Sequence, residues 1–264
     1  MLNFIPATLR LASIMRRVRP DIVHCFLFRA SMMGRLAAVL CPGAAVIAAV
    51  RVNEQSRLKY TLERLTRSLV SRYTAVSEEV RRNMILRAHV DPDTIITIYN
   101  GIECPLQDMP APPPACDETR LALIGRLHRQ KGHSVLLEAV AIIINAGRRV
   151  HLYLAGDGPD EALLRHQAGT LGISGAVTFA GLVDDVVAFM ADIDIVVLPS
   201  LWEGLPNAAI EAHACARPLL LTADANVDGI LEEGVTGHQF PTLSVAGMAD
   251  ALDRAFATPP DRVA

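Results

Sequence analysis

The chain has 264 residues and a mass of 28.5 kDa, room for about two domains at roughly 150 residues each. With 51% hydrophobic and 20% charged residues it can bury a real core, which excludes disordered, collagen-like and coiled-coil classes. Aromatics at 5% and a net charge of -3 argue against a single-strand stacking platform and a dedicated DNA binder, so no nucleic-acid partner is expected.

In chain order, the pattern predicts a helix over 7–18, a strand over 21–26, a helix over 30–40 and a strand over 46–50. A helix over 56–70, a short strand over 73–76, a helix that Ser77 caps and a strand over 95–99 follow. Glu78 and Glu79 suit that cap, because acids favour the positive end of a helix. The second half repeats the alternation more fully. Strands are predicted at 121–125, 150–155, 177–180, 193–198 and 218–222. Helices are predicted at 134–146, 160–171, 183–190, 207–215 and 245–257. Short apolar runs without alternation imply strands covered on both faces, hence parallel sheets with helical crossovers. The fold class read from this is α/β, with two Rossmann-like doubly wound domains and a thinner, incomplete first one.

Between the halves, residues 105–114 hold five prolines. Such a stretch makes neither helix nor interior strand. The expected division is an incomplete first domain over 1–104, a linker over 105–117 and a second domain over 118–264. Residues 1–110 carry 15 basic and 9 acidic side chains, and the remainder 10 and 19, so the halves face different partners or simply carry different solvated surfaces. The cysteines at 25, 41, 104, 116 and 215 form no CxxC pair. A disulfide framework and a zinc site are not expected, and a reducing compartment fits. The arginines of residues 1–20 follow the apolar part, the wrong order for a secretory signal. No unbroken apolar stretch reaches about 20 residues, so the expected location is cytoplasmic.

In an open α/β sheet, ligands gather at the carboxyl ends of strands. Two such ends are polar here. Gly125-Arg126-Leu127-His128-Arg129-Gln130-Lys131-Gly132 brings three cations in front of a helix. Pro199-Ser200-Leu201-Trp202-Glu203-Gly204-Leu205-Pro206-Asn207 leads into a helix that carries Glu211. A helix start offers free N–H groups and partial positive charge to a phosphate. Gly204 allows close backbone approach, and Pro206 suits a first helical turn. Glu211, four residues after Asn207, shares its face and could bind vicinal hydroxyls. A nucleoside diphosphate joined to something polar fits both ends. A solvated basic loop beside an ordinary capped helix would leave the same pattern.

These residues resemble glycosyltransferase family 4, retaining enzymes of the GT-B fold. Glu203 and Glu211 stand as its E-x7-E signature, and Gly125-Arg126-Leu127 with Gln130-Lys131-Gly132 resembles its phosphate loop. Leu154-Ala155-Gly156-Asp157-Gly158-Pro159, Val177 to Gly181 and Asp194 to Leu198 agree in order. So, more loosely, do Arg19 to His24, Ala75-Val76-Ser77 and Asn100-Gly101-Ile102. The resemblance implies a donor site made of Gly125, Arg126, Lys131, Gly181, Glu203, Gly204, Leu205, Pro206, Asn207 and Glu211. Glu203, Arg126 and Lys131 would be catalytic: the cations neutralise the leaving diphosphate in place of a metal, and Glu203 with the backbone of 204–207 holds the sugar. Glu211 would bind ribose hydroxyls, Gly181 would lie near the base, and His24 would stand on the acceptor side. The donor is then a nucleotide-diphosphate sugar, with no cofactor and no metal, and transfer proceeds by front-face displacement with retention. The acceptor is a glycan, a lipid-linked sugar or a small molecule, in keeping with cell-envelope glycan synthesis.

Other features are read as structural. Asp192-Ile193-Asp194 mimics a DxD metal motif but precedes a buried strand. His128, His133, His166 and His213 lack metal spacing. The chain also departs from the family. It opens on a helix, without the family's first strand and Gly-rich loop, and it stops before the family's crossing helix. Phe26 stands where a second histidine is usual, Ala216 where a glycine is usual, and Asp228 near the place of a donor-side acid. A nucleotide-sugar-binding remnant without turnover is therefore one alternative, and a GT-B sugar-nucleotide epimerase another. The arginines at 10, 16, 17 and 19 suggest peripheral contact with an anionic membrane at its inner face, or a helix packed on its own sheet.

Overall fold

Strand–helix alternation runs through both halves of the structure, a computed structural model that describes residues 4–102 and 117–257. The chain separates into two compact units, with the division after Asn100. The expected linker over 105–117 lies, except for residue 117, outside the described residues.

The first unit runs α1 (Phe4–Val18), β1 (Ile22–Phe26), α2 (Leu27–Leu40), β2 (Ala45–Val50), α3 (Arg57–Thr66), β3 (Arg72–Ala75), α4 (Glu78–Ala88) and β4 (Ile95–Thr97). Its described strands form one parallel sheet in chain order. Helix α1 buries Thr8, Ala12 and Met15, spaced for one face, and Ala12 and Met15 cluster with Ala37 of α2. Gly34 brings α2 onto the sheet, since a Cβ there would stand 2.2 Å from Cys25 Sγ. Strand β1 is one edge of the sheet, and its face of Ile22, His24 and Phe26 stays exposed. Ser77 caps α4 as the sequence predicts: its Oγ accepts the Val80 N–H at 3.2 Å. His89 ends that helix in the left-handed conformation, φ +54°. Arg35, fully buried, donates to Glu63 Oε2 at 2.6 Å, Ser31 Oγ at 2.7 Å and Thr66 Oγ1 at 2.6 Å.

The second unit runs β5 (Thr119–Ile124), α5 (His133–Asn145), β6 (Val150–Ala155), α6 (Glu161–Thr170), β7 (Val177–Gly181), α7 (Val186–Ala191), β8 (Ile195–Leu198), α8 (Asn207–Ala214), β9 (Leu219–Thr222), β10 (Gly237–Phe240) and α9 (Val245–Ala257). The sheet order is β10-β9-β8-β5-β6-β7, with every pair parallel. Alternate residues of β5 feed opposite cores. Leu121 and Leu123 join the side built with α5 and α9, and Ala122 the side built with α8. This is why the strands read as unbroken apolar runs.

Differences from the predicted elements have local causes. Asp185 accepts the Ala188 N–H at 2.9 Å, so α7 starts at Val186 and not at 183. Asp194 does not open β8. Its carboxylate takes the Arg120 N–H at 2.7 Å and Arg120 Nε at 3.1 Å, bracing the starts of β5 and β8. Its role is structural, as its place before a buried strand implies. Pro206 is the N-cap of α8 and stands outside the helix, since ψ +105° leaves its backbone extended. Strand β10 is not legible in the sequence, because His238 and Gln239 interrupt its apolar residues. Among the described residues, no helix is long and apolar enough to cross a membrane.

Candidate functional site

Strands β5 and β8 are neighbours, and the sheet grows outward from them in both directions. The chain leaves them for helices on opposite faces of the sheet, α5 and α8, so strand order reverses here, the crevice where such sheets bind ligands. Both polar strand ends singled out in the sequence lie there. The loop after β5 carries a short 3-10 turn, Arg129–Lys131, whose first N–H groups include Gln130 N, bonded to His128 Nδ1 at 3.2 Å. Gly132 follows with φ +71°, and a Cβ on it would stand 2.1 Å from the Pro199 carbonyl oxygen. A left-handed turn and this close approach both demand glycine.

With the loops in contact, their side chains interlock. Leu201 N donates to the Gln130 carbonyl at 2.8 Å, and Gln130 Nε2 to the Trp202 carbonyl at 2.8 Å. Lys131 Nζ lies 2.6 Å from Glu203 Oε1. Glu203 is buried, 7% exposed, so the lysine is what neutralises it. Thr222 Oγ1 donates to the Ser200 carbonyl at 2.6 Å, fixing the second loop to β9. The Ser200 hydroxyl and both ring nitrogens of His133 are buried without a hydrogen-bond partner among the described residues. Burial lowers the His133 pKa to about 4, with the nearby Lys131 charge acting the same way.

Two helices start at this crevice. Gly132 before α5 and Pro206 before α8 provide no side-chain cap, and neither first turn holds an acid. Helix starts of this kind suit an anion. Gly204 is buried beside Glu203, Leu205 is half-buried, and Asn207 is exposed. The Glu211 carboxylate, half-buried on α8, has no hydrogen-bond partner among the described residues, and desolvation raises its pKa. Arg126 is exposed and has no ion-pair partner among them. Gly125 ends against the Lys131 stem, and Gly181 closes β7 with φ +69°, its carbonyl accepting Gly156 N–H at 2.6 Å.

The structure thus brings Lys131 and Glu203 into one pair and makes no direct contact of Arg126 or Glu211 with it. Gln130 is a residue whose role the sequence does not show. Its place between two basic residues gives no sign that its amide ties the loops. His24 belongs to the first unit, on the exposed face of β1, with its ring 4.3 Å from that of Phe26. His133, at the start of α5, is buried. Asp228 is exposed and left-handed, φ +53°. No group of three or more His, Cys, Asp or Glu that could hold a metal occurs among the described residues.

Residues 118–258 match the family described as Glycosyl transferases group 1, and residues 1–105 match Glycosyltransferase Family 4. The lipopolysaccharide core biosynthesis glycosyltransferase LpsE of Rhizobium meliloti is 34% identical over 134 residues, 51% of this chain and 38% of LpsE. An Escherichia coli UDP-Gal:alpha-D-GlcNAc-diphosphoundecaprenol alpha-1,3-galactosyltransferase is 26% identical over 83% of this chain and 61% of its own. The chain thus spans less than two thirds of these relatives' length. The crystal structure of Anabaena Alr3699/HepE in complex with UDP and glucose superposes with a TM-score of 0.78, at 20% identity, over 95% of this chain and 72% of that one. Its likeness shows a GT-B-like fold of two parallel α/β units.

Proposed function

Because the chain belongs to the group 1 and family 4 glycosyltransferases, we propose that the crevice of its second unit binds a nucleotide-diphosphate sugar and that the protein transfers the sugar with retention. The observation that carries this is the Lys131–Glu203 pair, 2.6 Å long, which joins the two loops at the reversal of strand order. Lys131 and Arg126, with the positive ends of α5 and α8, would meet the departing diphosphate, so no metal is needed for that charge. Such preorganised charge acts most strongly where water is excluded. Glu203 and the backbone of 204–207 would then turn to the sugar hydroxyls. Until a diphosphate draws on Lys131, the pair holds both side chains in place and keeps the buried carboxylate from standing alone.

Glu211 would accept from ribose hydroxyls, a role suited to an unpaired carboxylate in a half-buried place, and Gly181 would lie near the base. His24 is the weaker acceptor-side candidate. The names of LpsE and the Escherichia coli galactosyltransferase support an acceptor in envelope glycan synthesis, a glycan or a lipid-linked sugar. On this reading the protein works in the cytoplasm, with its basic first unit turned to the anionic inner face of the membrane.

Calorimetric titration with UDP-, GDP- and ADP-sugars tests the donor, and NMR of the product tests the anomeric outcome. One of these sugars is expected to bind and to be transferred with its configuration retained. Lys131→Ala and Glu203→Ala should each lower kcat/KM by about 100-fold or more. Absence of binding to every nucleotide sugar, with transfer unchanged by Glu203→Ala, would falsify the proposal.

A further inference from the structure

Between β8 and α8, the residues ahead of Glu203 are restrained one after another. Pro199 lies against Gly132, where a Cβ would stand 2.1 Å from the proline carbonyl oxygen. The Ser200 carbonyl accepts from Thr222 Oγ1 at 2.6 Å. Gln130 holds the next two residues. Its carbonyl accepts the Leu201 N–H at 2.8 Å, and its Nε2 donates to the Trp202 carbonyl at 2.8 Å. None of these restraints uses a charged side chain. Glu203, the next residue, is held differently. Its carboxylate meets Lys131 Nζ at 2.6 Å and has no other hydrogen-bond partner among the described residues.

Two neighbours in one short turn thus grip one loop in two ways, Lys131 by charge and Gln130 by its amide and its backbone carbonyl. The turn itself is braced. Gln130 N–H donates to His128 Nδ1 at 3.2 Å, Lys131 N–H donates to the His128 carbonyl at 2.9 Å, and Gly132 closes the turn with φ +71°. At Gln130 the Trp202 carbonyl requires a donor, which an amide offers and an ionised carboxylate does not. The two grips answer an anion differently. Phosphate competes strongly for an ammonium group, because charge-assisted hydrogen bonds are about twice as strong as neutral ones. It has no such pull on a neutral amide already bonded to a carbonyl. Once Lys131 turns to a diphosphate, the Glu203 carboxylate gives up its partner, and the hold of Gln130 on Leu201 and Trp202 remains.

We infer that Gln130 is a positioning residue for transfer: it keeps Glu203 in place in the donor-bound state, when the ion pair with Lys131 is given up. The inference rests on the proposed transfer reaction for what Glu203 does there; the anchoring of the loop without the lysine stands on its own geometry. Because Gln130 and Lys131 are adjacent, one turn fixes the acid that faces the sugar relative to the cation that faces the leaving diphosphate. That spacing matters, since a misplacement of about 1 Å at a reacting centre can cost about 100-fold in rate.

Gln130→Met keeps the length of the side chain and the backbone bond to Leu201 but removes the donor to Trp202. Gln130→Glu keeps the shape and, when ionised, also lacks that donor. In the full chain each should lower kcat by about tenfold or more. UDP, GDP or ADP, whichever the unsubstituted protein binds, should bind as before. A residue that merely supports the fold would move nucleotide affinity, KM and the denaturation midpoint together with kcat. Hydrogen exchange without substrate gives a second reading. The Leu201 amide should exchange about tenfold faster in Gln130→Met, the change expected when one hydrogen bond of the anchor is lost, and should change less in Lys131→Ala. Unchanged kcat in both Gln130 variants overturns the inference. So does an equal loss of kcat and nucleotide affinity, or a Leu201 amide that Lys131→Ala frees as much as Gln130→Met does. If the unsubstituted protein binds no nucleotide sugar, the transfer reading falls and the catalytic consequence of Gln130 falls with it. The exchange comparison then still decides whether the loop is anchored without the lysine.

Discussion

The two units place cations at strand ends in different ways. In the second unit, Lys131 is held at 2.6 Å by Glu203, and two loops 72 residues apart in sequence are laced around the pair. In the first, Arg29 and Arg51 stand without carboxylates among the described residues, while the buried ion pair, Arg35–Glu63, lies within the core. The cores differ in the same sense. The second rests on Leu, Val and Ile from both faces of a six-stranded sheet. The first has a smaller sheet with alanines in its middle strand, an exposed edge and charged groups inside. Both units bury an arginine, but Arg35 is met by the Glu63 carboxylate, whereas Arg217 of the second unit donates to the Met190 carbonyl at 2.8 Å. The comparison teaches that a buried ion held by another ion makes the core depend on both partners, since losing either strands the other.

The largest expected effect breaks the contrast in core chemistry. Arg35→Ala strands Glu63 in a buried place and should cost about 3–5 kcal/mol. Denaturant-dependent hydrogen exchange should show that loss in β2 and β3 while β5 and β8 keep their protection. Replacing both partners by apolar residues should recover most of it. If Arg35→Ala left the first unit unchanged, the idea of a charge-dependent core would be wrong.

His133 sharpens the comparison from the other side, as a polar residue inside the apolar unit. Its folded pKa lies near 4 against an ordinary value of 6.5, so the unfolded chain binds the extra proton in between. Its contribution is intact above about pH 6.5, then falls by about 1.4 kcal/mol per pH unit until pH reaches about 4. His133→Leu should flatten that slope in stability measured between pH 7 and pH 4. A slope as steep in the variant would assign it to other groups.

The smallest effect concerns one helix end. Ser77→Ala removes the cap of α4 and should cost about 1 kcal/mol, detectable as a shift in the denaturation midpoint of the first unit. A shift in the second unit instead would mean that the units do not unfold independently.

Much of the fold is legible in the residue order. The Ser77 cap, the 245–257 helix and the 150–155 strand follow from local pattern, because period and capping act over a few residues. Boundaries differ where a side chain intervenes, as Asp185 does at α7. Strand β10 escapes because it is short and its middle is polar. The candidate site is half legible. Motif spacing marks both loops and implies that Arg126, Lys131, Glu203 and Glu211 act together, yet only the lysine and one glutamate touch. The bond from Gln130 to Trp202 leaves no sequence signal, since a glutamine between two basic residues is an ordinary sight.

The amino-acid order alone determined that strands and helices alternate, that the interior strands of the second sheet are covered on both faces, and which two loops carry the polar residues. Only the tertiary structure decided that β5 lies beside β8, which makes those loops the two walls of one crevice. The reason is physical. The interior strands here are apolar on both sides, so each could neighbour any other, and the choice among them is made by packing between residues far apart in the chain. The same long-range packing settled which cations found carboxylates, as Arg35 found Glu63 and Lys131 found Glu203.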